Sequence, residues 1–91
     1  MAISLLSQLV RRLGKVEKEI LKQAFLTRAT SSFLVRIVAN RLNIPKSTVW
    51  YNFRKLKRDE FIFAELGEQV KLSKVAKLVA IFLLEVDENV S

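Results

Sequence analysis

Leu34 to Leu56 reads LVRIVANRLNIPKSTVWYNFRKL. Two helical patterns meet in it across a three-residue break. In the first, Leu34, Ile37, Val38 and Leu42 recur at helical spacing and predict an inward stripe on a helix over roughly 34–42. Asn43-Ile44-Pro45 ends it. Proline lacks the N–H a helix interior needs, yet its fixed φ suits the start of a new helix. In the second pattern, Lys46 to Arg58, Val49, Phe53 and Leu56 fall at i, i+4 and i+7, one stripe of a helix. Ala39 predicts a close crossing of the two helices, where a larger side chain would push them apart, while Leu42 and Ile44 anchor the turn.

Working outward, the upstream residues predict two more helices. Ile3, Leu5, Leu6, Leu9, Val10 and Leu13 are spaced as one helix face, Gly14 marks a break, and Val16, Ile20, Leu21, Ala24 and Phe25 stripe a helix over 15–28. Thr30, Ser31 and Ser32 offer hydroxyls to cap the next helix, and a very short strand fits around Ser32 and Phe33. Downstream the period changes. Ile62, Ala64 and Leu66 alternate with Phe61, Phe63 and Glu65, and Val70 and Leu72 share a face of 69–73. Gly67-Glu68 between these runs predicts a two-residue type II′ hairpin turn. Ser73 is placed to cap a last helix over about 74–86.

Charge is the main guide to a partner. Residues 1–58 hold thirteen Lys/Arg against two acids, a net of +11, whereas residues 59–91 net −4. Six basic residues and no acid lie between Asn40 and Arg58. A one-signed stretch of that kind attracts a polyanion. The chain has no cysteine and no histidine. Disulfides, thiolate chemistry, imidazole bases and Cys/His zinc sites are therefore absent, and no cofactor is expected. There is no Gly-rich phosphate loop and no paired acids with an obvious site, so an enzyme is not expected. Arg11 and Arg12 follow the apolar start instead of preceding it, the wrong order for a signal peptide. The longest uncharged apolar run, Leu78 to Leu84, is far short of the roughly 20 residues that span a bilayer. The expected setting is the cytoplasm, with no membrane partner. Few glycines, one proline and much Ile, Val, Leu, Lys and Arg give a composition like that of thermophile proteins.

The fold class expected is mainly α with a small β-hairpin, one 91-residue domain. Its parts are an N-terminal helix over 1–14, a core over 15–73 and a C-terminal helix over 74–91. The run IPKSTV, with an apolar residue four on, resembles many bacterial and archaeal regulators, and residues 15–73 resemble a winged helix-turn-helix. Asn43 stands where such turns often have glycine. Asparagine tolerates the left-handed conformation, so the turn survives. Small winged-helix regulators of the MarR and ArsR kind, and many from archaea and their viruses or plasmids, look like this. The resemblance implies that the Lys46–Arg58 helix enters the major groove of double-stranded DNA, its N-terminal part reaching base edges.

At ~100° per residue, Ser47, Tyr51, Arg54 and Arg58 point away from Val49, Phe53 and Leu56, with Trp50 on one flank and Thr48 and Lys55 on the other. The expected DNA contacts are Lys46, Ser47, Thr48, Trp50, Tyr51, Arg54, Lys55 and Arg58. Arg54 suits a bidentate contact to guanine, while Lys55 and Arg58 suit phosphates. Trp50 has two readings, a DNA contact or a cover over the core edge or hairpin. The hairpin tip, Leu66-Gly67-Glu68-Gln69 beside Glu65, carries no cation and is expected to play at most a minor role, through Lys71 and Gln69.

The ends predict a homodimer. Leu78 to Leu84 has almost no polar face, and such a helix must be buried nearly all round. Leu5, Leu6, Leu9, Val79, Phe82, Leu83 and Val86 are the expected interface. The competing reading is that the last helix closes the core of the single chain against the first. Two other functions compete with a regulator: a winged-helix module for protein interaction, and an architectural or replication DNA-binding protein. A small-molecule effector between the dimer helices is open, with nothing to identify it.

Overall fold

The computed structural model describes residues 2–90, and the surroundings of side chains 5–86. Within these bounds the chain is mainly helical with one two-stranded antiparallel sheet. The order is α1 (Ala2–Arg12), α2 (Lys15–Thr27), α3 (Ser31–Leu42), α4 (Lys46–Arg58), β1 (Ile62–Phe63), β2 (Lys71–Leu72) and α5 (Lys74–Val90). No helix among the described residues is long and apolar enough to cross a membrane.

α2 is the central element. Its Ile20, Leu21 and Ala24 are buried, and it packs against α3, α4, α5 and β2. Its start is fixed by Glu17, whose carboxylate accepts the Gly14 N–H at 3.1 Å and so supplies half of a capping box. Polar contacts also tie α2 to α3. The buried Glu19 carboxylate accepts from Gln23 Nε2 at 2.7 Å and from Arg41 Nε at 3.0 Å, and lies 3.4 Å from Lys22 Nζ. Burial, the largest single influence, raises its pKa. The bonds from Gln23 and Arg41 and the charges of Lys22 and Arg41 together outweigh it and hold the carboxyl below the usual glutamate range.

α3 begins three residues before the expected Leu34. Thr30 is its extended N-cap but makes no side-chain cap bond. Thr30 instead pairs through its backbone with Gln69, an isolated bridge that replaces the short strand expected at Ser32 and Phe33, both of which are already helical. Leu34, Val35, Val38 and Ala39 are buried, so Val35 holds the inner position expected of Ile37, which is half-buried. α3 stops at Asn43, which takes the left-handed conformation (φ 54°), and Ile44 N–H reaches back to the Ala39 carbonyl at 3.1 Å. That closure is the helix-ending pattern asparagine can supply in place of glycine. α4 ends the same way: Glu60 sits at φ 63° and Phe61 N–H bonds the Leu56 carbonyl at 3.0 Å.

The hairpin differs from the two-residue turn expected of Gly67-Glu68. Ile62 pairs with Leu72 and Phe63 with Lys71, and residues 64–70 form the connection. Its tip is a four-residue turn in which Glu68 N–H donates to the Glu65 carbonyl at 3.1 Å. Gly67 at the third position has φ 77°, the conformation a type II turn requires there. The strands stay short because the second arm bonds elsewhere. Gln69 pairs with Thr30, and Val70 N–H donates to the Ala29 carbonyl at 2.9 Å. Leu66, which the alternation sets on the same face as Ile62, is fully exposed at the tip, whereas Ile62 is buried.

α5 starts as expected, with Ser73 Oγ accepting the Ala76 N–H at 3.1 Å. Its packing corrects two of the residues expected at a dimer interface. Val79 (0% exposed) and Leu83 (7%) face into the single chain with Ala76 and Ala80. The chain therefore covers one whole stripe of α5, with α2 as its main neighbour and α1 beside it. Leu13 joins that core, and Leu6 and Val10 pack half-buried against it, so α1 also has a place within the chain. Ile3 lies outside the described side chains.

Candidate nucleic-acid interface

α4 separates two faces. Val49, Phe53 and Leu56 are buried against the core. On the other side Lys46, Ser47, Thr48, Tyr51, Arg54, Lys57 and Arg58 are exposed. The helix carries five cations and no acid. Pro45 caps it in an extended conformation, and its carbonyl accepts the Thr48 N–H at 3.1 Å. The first turn is thereby fixed with Lys46, Ser47 and Thr48 on the surface, and the N-terminal backbone N–H groups favour an anion there.

The expected contact residues fall into two sets. Lys46, Ser47, Thr48, Tyr51 and Arg54 share the open face, with Tyr51 61% exposed. Lys55, Trp50 and Arg58 are each engaged with the protein. Lys55 is half-buried, its Nζ 3.8 Å from Glu17 Oε1 and 5.6 Å from the centre of the Tyr51 ring. It therefore braces Tyr51 and ties α4 to α2. Arg58 Nε stands 3.7 Å from the Asp59 carboxylate, but both are exposed, so the pair holds the guanidinium weakly.

Trp50 is half-buried and meets the Phe53 ring edge-on, with centroids 5.4 Å apart. It lines a groove of about 390 Å³ between α4, the start of α3 and the hairpin loop. Of its two sequence readings, the cover between α4 and the hairpin describes its position; its indole still borders an open groove.

Lys57 was not among the expected contacts. It lines this groove with Trp50 and Arg54. The three stand at i, i+4 and i+7, and the wheel that set Trp50 on a flank puts Lys57 on the same one, so the signal was in the spacing. Ser31 and Ser32, expected as caps, line the groove from the other side. Glu65 is the acid in this lining. The hairpin tip is otherwise Leu66, Gly67 and Glu68, all exposed and without a cation. The chain matches no family model and no curated protein.

Proposed function

We propose that the chain is a winged-helix, sequence-specific double-stranded DNA-binding protein, a homodimeric transcription regulator of the cytoplasm that reads a palindromic site through α4. The observation that carries this reading is the outer face of α4, where exposed cations and hydrogen-bonding side chains stand with no acid on the helix. A duplex presents a dense line of phosphates and donor–acceptor patterns in its major groove, and such a face complements both. The helix, three-residue turn, helix and hairpin order supports the winged-helix reading.

In this reading Ser47 and Arg54 reach base edges, with Lys46, Thr48 and Tyr51 around them. Lys57 and Arg58 hold phosphates, and Lys55 mainly fixes Tyr51. No reaction is carried out, since binding is the activity. The dimer reading rests on what α5 leaves uncovered. Val75, Leu78, Ile81 and Val86 are exposed and Phe82 is half-buried, and Leu5 is exposed on α1 with Leu6 and Leu9 half-buried. A second copy that covered these faces would hold two α4 helices for half-sites one DNA turn apart, roughly 34 Å.

The test is a gel shift of random duplex DNA at two salt concentrations, with sequencing of the bound fraction. Enrichment of a palindrome, with affinity that falls steeply as salt rises, is the expected result. Salt-sensitive binding without enrichment would replace the regulator with an architectural role. No binding at low salt would overturn the reading and leave α4 to a protein partner.

A further inference from the structure

A second groove lies away from the outer face of α4, between the end of α2, the second arm of the hairpin and the first turns of α5. It measures about 590 Å³, within the size range of small-molecule sites. Its wall is apolar. Phe25 and Leu26 border it with exposed side chains, and the buried Val70 lies beneath. Three cations, Arg28, Lys71 and Lys77, also line it, and among the described residues no acid does. None of the three is in an ion pair among the described residues. Glu65 and Glu68 line a separate, smaller groove that shares Lys71 and Gln69.

Two backbone features bear on the sign of charge this groove accepts. The C-terminal carbonyls of α2 would repel an anion, but two of them are already occupied. The Thr27 hydroxyl donates to the Gln23 carbonyl at 2.7 Å, and Arg28 N–H donates to the Ala24 carbonyl at 3.3 Å. Arg28 itself leaves α2 in the left-handed conformation (φ 53°), which puts a cation directly at the helix end.

We infer that this groove binds a small organic anion with an apolar body, an alkyl or aryl carboxylate or phosphate monoester. The apolar part lies on Phe25 and Leu26, and the acid group meets Arg28, Lys71 and Lys77. Charge complementarity decides against a neutral lipid, and the exposed apolar wall decides against a bare inorganic anion. The inference does not depend on the DNA reading, and its test uses no DNA.

The test is a titration of the isotopically labelled chain with decanoate below its micelle concentration, followed by amide NMR. Decanol serves as the uncharged control and acetate as the anion without a body. Decanoate is expected to saturate, with the largest shifts at the amides of Leu26, Arg28, Val70 and Leu72. Decanoate with the Lys77→Gln or Lys71→Gln variant should bind about tenfold more weakly, the loss of one charge-assisted contact, and decanol, which makes none of the three, more weakly still. Acetate should give no saturable shift. Equal binding of decanol and decanoate would overturn the inference, as would equal binding of acetate. So would the absence of a saturable shift, or shifts confined to the outer face of α5. The amide spectra of the free variants report whether each keeps the fold.

Discussion

α4 and α5 each bury one stripe at the same spacing, and they differ in what the opposite side carries. Val49, Phe53 and Leu56 on α4 and Ala76, Val79, Ala80 and Leu83 on α5 are all buried. Outside, α4 shows Lys46, Tyr51, Arg54 and Arg58, while α5 shows Val75, Leu78, Ile81 and Val86. The inner stripes make the fold and say little about partners. The outer faces do little for the fold and are the ones to which the proposed partners are assigned, a polyanion for one and another apolar surface for the other.

The largest expected effect separates the two sides of α5. Leu83→Glu puts an ionisable carboxyl into the core, where no described partner awaits it, and an unpaired buried charge costs several kcal/mol. Against a total stability of about 5–15 kcal/mol, the variant should be largely unfolded by circular dichroism. Ile81→Glu, two residues away on the outer side, should keep the helical spectrum and sediment at half the mass of the parent. A dimer that survived Ile81→Glu would place the interface elsewhere. A folded Leu83→Glu monomer would mean that the inner stripe was misassigned.

Next comes the outer side of α4. Arg54→Ala should weaken specific binding by about 1–3 kcal/mol and relax preference at one base position, read by repeating the selection on the variant. Thermal stability should change by no more than about 0.5 kcal/mol, because the side chain is exposed. An unchanged selection profile would sink this docking of α4. A large loss of stability would show that the two faces are less separate than they look.

Why some of this was legible in the sequence and some was not follows from the range of each interaction. The α3–turn–α4 unit was readable because the signals are local: stripe spacing, Pro45 at the cap and Asn43 at the end of α3. The charge of the outer face of α4 was readable for the same reason. What escaped depended on contacts distant in sequence. The hairpin opened into a long connection because Gln69 and Val70 bond the α2–α3 link, some forty residues upstream. The inner stripe of α5 read as interface because an apolar helix does not state whether its own chain or another covers it. The pairing of Lys55 with Glu17 was not legible either, because Glu17 lies on α2.

The frames that hold the two helices differ as well, and this predicts a smaller, pH-dependent effect. α5 packs through apolar side chains, whereas α3, which carries α4, is joined to α2 partly through Glu19. The pKa of Glu19 is lowered in the folded chain, so the unfolded chain binds more protons between the folded value and the ordinary glutamate value. Stability from this carboxylate is complete above the ordinary value and is lost as pH falls through the folded one. Urea unfolding of the parent should weaken across that window more than unfolding of Glu19→Gln, which has no proton to gain there. Parallel curves would show that the α2–α3 joint does not depend on the charge of Glu19.

The smallest expected effect concerns the hairpin tip, the part of the proposed interface with the wrong charge. Glu68 sits in the exposed turn closed by its own N–H on the Glu65 carbonyl, and Gly67 beside it has open space around it. If α4 docks as proposed, the tip either stays clear of the duplex or approaches phosphates with Glu65 and Glu68 facing them. Both arrangements predict that Glu68→Gln does not reduce DNA affinity. The first predicts no change. The second predicts a gain of about twofold at low salt that vanishes as salt screens the charge. A clear loss of affinity would mean that the carboxylate accepts a hydrogen bond in the complex, from a base amino group or from a second copy of the chain. The tip would then belong with the outer face of α4 as a surface that reads its partner.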